Sequence, residues 1–254
     1  MPAPIDAVID ALVQARRSGG VSDDAALPQA VTTADDGYLV QAAVANELGW
    51  FDAGVPVHWK SGGASRSAVM THAPLPPAGV WASPADAKAW PFNWRVIEAE
   101  IALRLGRPVD AALAATLDME SATALIDAMT VSIEVVDSRW KQNFKAPALM
   151  RLADLQSHGA LVLGDWQPFA PRDWAAQTCH VTIGAAEQRF QGSHSLADPA
   201  FVLPAWLRHA TRHGGVVPAG SVVTTGTWCG LLFAQPGELV TVTFDGIGDA
   251  RVHL

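Results

Sequence analysis

Apolar residues at Ile5, Val8, Ile9, Leu12 and Val13 recur at helical spacing, and Gly19 and Gly20 stop the pattern, which predicts an amphipathic helix. A second helix is predicted from a cap at Thr32 or Thr33, with Asp35 and Asp36 in its first turn, to Gly49. From Val55 the period changes to two: in VPVHWKSG, Val57 and Trp59 face one way and His58 and Lys60 the other, as in a strand. Residues 61–94 are rich in Gly, Ser, Ala and Pro and are predicted as a long loop. The stretch VIEAEIALRL then alternates again, with Ile97, Ala99, Ile101, Leu103 and Leu105 on one face and Glu98, Glu100 and Arg104 on the other.

A short helix over 119–129 is predicted to lead into VSIEVVD, a β-branched strand ending at Asp137. Further strands are predicted at GALVLG, TCHVTIG and EQRFQG, a helix over 199–213 that stops at Gly214 and Gly215, and three final strands at SVVTTG, ELVTVTF and DARVHL. Strands grouped with few intervening helices predict an α+β or mostly β architecture rather than a doubly wound parallel sheet. The division is an amino-terminal helical section, 1–54, and a core, 55–254, forming one structural unit.

Composition narrows the function. With 50% hydrophobic and 17% charged residues the chain can bury a sizeable core. A net charge of -8 with scattered Lys and Arg residues argues against a nucleic-acid partner. No basic start followed by an apolar run and no long uncharged apolar stretch occur, which predicts a soluble cytoplasmic protein without a membrane partner. Cys179 and Cys229 lack the spacing of a zinc or redox motif and are expected to be reduced thiols in or near the core.

Most candidate motifs fail on inspection. KSGGAS has phosphate-loop residues in the wrong order, GIGDA is no dinucleotide fingerprint, and His194 in GSHS lacks a hydrolase nucleophile context. His209 and His213 stand four apart on a predicted helix, as metal ligands or, with Arg208 and Arg212, as cations at its negative end. Glu98 and Glu100 are more informative: neighbours on one strand face lie about 6.6 Å apart at Cα, close enough to lean towards one cation. The alternative is the polar, solvent-facing side of an antiparallel strand. Asp137, at the end of an apolar strand, is the expected third acid, because loops at sheet ends build sites. Three oxygen ligands without Cys or clear His partners suit a hard ion such as Mg²⁺ or Mn²⁺.

With Glu98-x-Glu100 followed by IEVVDSRW, the chain resembles the fumarylacetoacetate hydrolase superfamily, specifically its 2-keto-4-pentenoate hydratase / 4-oxalocrotonate decarboxylase branch. The resemblance runs from about His58 to Leu254 through WKSG, EAEIALRLG, IEVVDSR, LADLQSHGALVLG, PAGSVVTTGT and PGELVTVTFDGIGDARV. It implies a mixed β-sandwich roll and one divalent ion, Mg²⁺ or Mn²⁺, held by Glu98, Glu100 and Asp137. It further implies that the ion chelates the carboxylate and 2-oxo or 2-hydroxy oxygen of a small unsaturated acid, and that Lys60 binds substrate or moves a proton. Ser157, His158, Thr225, Gly226 and Thr227 match segments that line the substrate pocket in relatives; each also suits a turn, and Lys60 also suits a surface salt bridge.

The activity implied is hydration of a 2-hydroxypenta-2,4-dienoate-like acid from aromatic degradation, by a homo-oligomer that acts beside a decarboxylase partner. A 4-oxalocrotonate-type decarboxylase is the alternative enzyme. Two departures favour a third reading, a 2-oxo-acid binding or structural homologue: the segment after Lys60 contains no Asp or Glu where relatives usually place an acid, and ADLQS stands where they often read Ala-Asp-Asn-Ala-Ser.

Overall fold

The computed structural model describes residues 4–27, 30–51 and 54–254. Two helices open the chain, α1 (Pro4–Ser18) and α2 (Ala34–Glu47). A capping box starts α2: Asp36 N donates to Thr33 Oγ1 at 3.1 Å, and Thr33 N donates to Asp36 Oδ2 at 2.9 Å. These bonds satisfy amide groups that the first helical turn leaves unpaired. The apolar faces of both helices form a small core with residues from farther along the chain: Val8, Leu12, Val40 and Val44 pack with Trp140, Ala146 and Met150.

The strands follow as β1 (His58–Gly62), β2 (Thr71–Pro74), β3 (Val80–Ala82), β4 (Ala85–Asp86) and β5 (Val96–Leu105). Two short helices, α3 (Ala111–Thr116) and α4 (Met119–Thr123), precede β6 (Ile126–Val136), and α5 (Ala148–Ala153) precedes β7 (His158–Leu163), β8 (Gln167–Pro168), β9 (Thr178–Ile183) and β10 (Ala186–Gln191). Then come α6 (Leu203–Thr211), β11 (Val222–Thr224), β12 (Leu232–Phe233), β13 (Leu239–Phe244) and β14 (Gly248–His253).

They build two sheets. The larger runs β2-β1-β11-β5-β6-β7-β3, with β12 added to β5 and β8 to β6; the smaller runs β10-β9-β13-β14-β4. Pairing is mixed: β1 with β11, β3 with β7 and β4 with β14 are parallel, and the others antiparallel. Side-chain parity explains how the sheets meet. Ile97, Ala99, Ile101 and Leu103 of β5, with Val131, Ile133 and Val135 of β6, share one core with Val181, Val240, Val242 and Phe244 of the smaller sheet. The alternate residues of β5 and β6 therefore face away from that core, and they carry the acids.

The pattern of strands matches the expected mixture of α and β structure, with differences that have local causes. The segment expected as loop over 61–94 contains β2, β3 and β4, which are too short to show a period. The helix expected over 119–129 ends at Thr123, because Ile126 and Ala128 to Val136 are drawn into pairing with β5. His209 is not a cation at that helix end: it packs tilted against Tyr38 at 4.2 Å and His72 at 4.7 Å between ring centroids, and burial pushes its pKa down to about 2. Arg212 supplies the cation at that helix end, donating to His209 O at 2.6 Å. No helix among the described residues is long and apolar enough to cross a membrane.

Gly159 sits where the β6–β7 register shifts, and a Cβ there would meet Asp137 Cβ and Val135 O, both at 2.7 Å. Neither contact is the free end of a flexible side chain. Gly159→Ala is expected to cost about 1–3 kcal/mol, as overpacking of a tight core does, measured as a lower urea midpoint with an unchanged slope.

Candidate metal centre and its pocket

The antiparallel register of β5 with β6 sets Glu98 directly opposite Glu134 and Glu100 opposite Ser132. Since side chains two apart share a face, the three glutamates converge, and one carboxylate oxygen from each lies within 4.8 Å of the others. Such a group can hold a hard cation through oxygen ligands. Glu134 is fully buried. Its Oε1 accepts from Lys60 Nζ at 2.5 Å and from His158 Nδ1 at 3.0 Å, while its Oε2 has no partner. A buried carboxylate oxygen left unpaired is costly. A cation between the glutamates satisfies it, so the donors present fit a divalent ion.

Electrostatics agree with the geometry. Burial and the neighbouring Glu100 push the pKa of Glu98 well above the usual carboxylate range. Burial and Glu134 push that of Glu100 up to about 7, although Thr224 Oγ1 and Gly226 N, the latter at 3.0 Å, both donate to its Oε2. Burial works against the Lys60 ammonium, but Glu134, Glu98 and Glu100 outweigh it and raise its pKa. Burial likewise raises Glu134, yet Lys60 and His158 prevail and hold it low, as a carboxylate. Because an ionised carboxylate only accepts, His158 carries its proton on Nδ1. Burial keeps that imidazole neutral.

A cavity of about 350 Å³ opens over the carboxylates, lined by Lys60, Glu98, Glu100, Ser157, Gly226 and Thr227 among others. One part of its wall is strained. Leu155, Gln156 and Ser157 have φ of 52°, 55° and 59°, the left-handed region, which costs non-glycine residues on the order of 1 kcal/mol or more each. Buried bonds hold the segment in place. Asp154 accepts from Arg139 N and Nε, each at 2.8 Å, and from Arg16 of α1 at 3.1 Å, while Arg139 also donates to His158 O at 2.7 Å. The bend sends Gln156 O to Lys60 Nζ, at 3.3 Å, and leaves Gln156 Oε1 and Ser157 Oγ without partners. Unpaired polar atoms at a strained wall fit a surface prepared for a ligand.

The expected residues are distributed unevenly. Glu98, Glu100 and Lys60 come together, and Ser157, Gly226 and Thr227 line the same cavity. His158 stands behind Glu134 rather than in the cavity wall, and Thr225 is committed to the frame, donating to Ile101 O at 2.7 Å and accepting from His194 at 2.9 Å. Asp137 must be corrected as a metal ligand. Its Oδ1 accepts from Asn93 N at 3.0 Å and Trp94 N at 2.7 Å, and its Oδ2 from Arg139 at 3.3 Å. It lines a different cavity, of about 500 Å³, with Arg16 and Trp90. Parity is the reason: Glu134 and Val136 share the site's side of β6, and Asp137, one residue on, turns the other way. The third acid of the group is Glu134, and Thr224 was also missed. Glu134 had a visible signal, a lone acid inside an apolar β-branched run; Thr224 had none.

The model of the fumarylacetoacetate (FAA) hydrolase C-terminal family matches residues 66–254. A 2-keto-4-pentenoate hydratase of Burkholderia vietnamiensis is 34% identical over 162 residues, 61% of this chain and 58% of that protein. A 2-keto-4-pentenoate hydratase 1 of Dechloromonas aromatica is 30% identical over 157 residues, 60% of this chain and 57% of that one. The chain thus matches under two thirds of the length of these relatives. Among solved structures, 4-oxalocrotonate decarboxylase from Pseudomonas putida G7, complexed with calcium and acetate, superposes with a TM-score of 0.81 at 18% identity, covering 100% of this chain and 98% of that one. The same enzyme complexed with magnesium and adipate gives 0.79 at 18% identity, over 98% of this chain and 96% of that one.

A carboxylate whose pKa is raised on folding binds protons more tightly folded than unfolded, so its contribution to stability falls as pH rises from the unfolded value of 4.5 towards about 7. Histidines 58, 72, 158, 194 and 209, held neutral by burial, change stability in the opposite sense near the same window. The informative quantity is therefore a difference. With chelator present, the stability of the wild type relative to Glu100→Gln is expected to drop by roughly 2–3 kcal/mol between pH 4.5 and 7, read from urea denaturation across that range.

Proposed function

Because the chain belongs to the fumarylacetoacetate hydrolase family, we propose that it is a divalent-metal-dependent lyase that adds water to a small 2-hydroxydienoate or 2-oxoalkenoate. The observation that carries this reading is the convergence of Glu98, Glu100 and Glu134, with Glu134 Oε2 unpaired, beneath a cavity of a small acid's size. The relatives named as 2-keto-4-pentenoate hydratases support the choice of substrate class. The two sheets then correspond to the family's mixed β-sandwich roll. Mg²⁺ or Mn²⁺, a cytoplasmic location, assembly as a homo-oligomer and action beside a decarboxylase partner belong to the same proposal.

Glu98, Glu100 and Glu134 would hold the ion, which when bound supplies Lewis acidity towards the carboxylate and 2-oxo oxygens of such an acid. The remaining work falls to the chain's own groups. Lys60, kept protonated by the glutamates around it, holds a proton on Nζ at the cavity wall and can deliver it to the substrate's carbon skeleton. His158 fixes the Glu134 carboxylate in orientation through its Nδ1 hydrogen bond. Thr224 and Gly226 do the same for Glu100. Ser157 Oγ and Gln156 Oε1, both unpaired, can orient the acid or the water that adds to it.

A second reading, decarboxylation of a 4-oxalocrotonate-like diacid, is favoured by one observation, a cation in the cavity wall, Arg151, that makes no ion pair with any described residue.

The test follows the loss of absorbance of the conjugated dienoate. Loss is expected with Mg²⁺ and not with chelator; none with any small dienoate, at any metal concentration, would sink the proposal, and carbon dioxide release in its place would move it to the second reading. Lys60→Met is expected to lower kcat by about 10²- to 10⁴-fold while the fold, seen by circular dichroism, is kept. Glu134→Gln is expected to weaken Mg²⁺ binding, measured by calorimetry, by about tenfold or more.

A further inference from the structure

Val136, the last residue of β6, and Asp137 beside it turn to opposite sides of the strand, and each lines a cavity. The cavity beside Asp137, of about 500 Å³, shares no described lining residue with the one over the glutamates and is of a size that holds a small organic molecule. It forms where the ends of α1 and α2 meet the segments that precede β3 and β5. Its lining is short of negative charge. Among the described residues, Arg16, Arg17 and Arg139 line it with a single acid, Asp137, whose oxygens already accept from Asn93 N, Trp94 N and Arg139. Arg17 pairs with Glu47 at 2.9 Å, and Arg139 donates through all three of its guanidinium nitrogens. Arg16 does not. It donates through Nη2 alone, to Asp154 at 3.1 Å and His158 O at 3.5 Å, and it shares that aspartate with Arg139. Its Nε and Nη1 bond to no described residue. Burial and the adjacent Arg139 push its pKa down to about 10, as happens to a cation with too little negative charge around it. The same cavity has aromatic walls. The Arg16 guanidinium lies 5.0 Å from the centre of the Trp50 ring, and Trp90, half-buried and held edge-on to Trp81 at 5.0 Å, lines another part of the cavity with three prolines.

We propose that this cavity is a second ligand site, for a planar aromatic carboxylate, with the carboxylate on Arg16 and the ring against Trp50 and Trp90. The carboxylate supplies the negative charge that Arg16 has only in part and takes up the donors it leaves free. A flat ring gains contact with the two indoles that a saturated ring of the same size does not. The site is independent of the metal centre in its ligand chemistry, needing no ion, and is joined to it only through the frame. Arg16 and Arg139 both hold Asp154, where the strained bend of the other cavity begins, and both donate to the carbonyl of His158, which orients Glu134.

The experiment measures binding of benzoate, benzamide and cyclohexanecarboxylate to the full chain by calorimetry, once with saturating Mg²⁺ and once after the metal is removed. In the wild type benzoate is expected to bind about tenfold or more tightly than benzamide, which lacks the charge. Cyclohexanecarboxylate, charged but not flat, is expected to bind about three- to tenfold more weakly than benzoate. Mg²⁺ is expected to change these affinities less than about threefold, as are Lys60→Met and Arg151→Met in the other cavity. Arg16→Met is expected to weaken benzoate about tenfold or more and to leave benzamide within about threefold. Trp90→Leu is expected to weaken both about three- to tenfold and so to keep their ratio. Thermal unfolding of each variant shows whether it is folded.

No binding of benzoate to the wild type up to about 10 mM, or equal binding of benzoate and benzamide, overturns the assignment. So does benzoate binding that needs Mg²⁺, or that Lys60→Met abolishes and Arg16→Met does not, since the acid then sits at the metal centre. Should Arg16→Met fail to fold, the order of the three ligands on the wild type and their indifference to Mg²⁺ and to Lys60→Met decide the matter.

Discussion

Three carboxylates forced together at the centre of a sheet set the terms for the rest of this structure. The β5–β6 register that brings Glu98 opposite Glu134 also makes Ile97, Ala99, Ile133 and Val135 the inner face of the core. A slip of one residue would bury the acids against the smaller sheet and expose the apolar set. The packing of the core and the position of the acids are thus one constraint. Hydrophobic burial supplies the free energy that holds like charges at a separation they would otherwise escape.

Around that constraint the protein arranges partial compensation. Lys60 and His158 neutralise or hydrogen-bond one oxygen of Glu134, and Thr224 and Gly226 serve Glu100. The compensation stops short on one side, since Glu134 Oε2 is left unpaired, as are Ser157 Oγ, Gln156 Oε1 and Arg151 Nε of residues that line the cavity. Elsewhere the buried network is denser: Asp154 alone binds Arg16 and Arg139, and through them the strained Leu155–Gln156–Ser157 bend is tied to α1. The amino-terminal helix is therefore part of what keeps the cavity wall in place, although none of its residues reaches the carboxylates. A rigid frame next to an unsatisfied wall is the usual arrangement of a ligand site.

How legible was this in the sequence? The alternation in VIEAEIALRL placed Glu98 and Glu100 on one face, and their convergence follows from the strand period alone. The choice of Asp137 shows where such reading stops. From the sequence, an acid at a strand end looked better placed than Glu134 in mid-strand, because a charged residue inside an apolar run has no local reason to be there. Its reason is across the sheet, in Glu98, Lys60 and His158. Likewise Thr225 and Thr227 look alike in VTTGT, yet Thr225 is consumed by the Ile101 carbonyl and Thr227 faces the cavity.

The sequence by itself determined the periods of the long elements, and which of their residues share a face, because those follow from local geometry and from the segregation of apolar and polar side chains. It also determined the hard, oxygen-rich character of the site, through the supply of acids and the want of paired Cys and His motifs. Tertiary structure decided the third acid, the partner of each cation near it, and which cation of the cavity wall, Arg151, makes no ion pair with any described residue. Those depend on which strands lie side by side and in what register, a matter of long-range pairing in which residues 36 positions apart, Glu98 and Glu134, or 124 apart, Glu100 and Thr224, become neighbours.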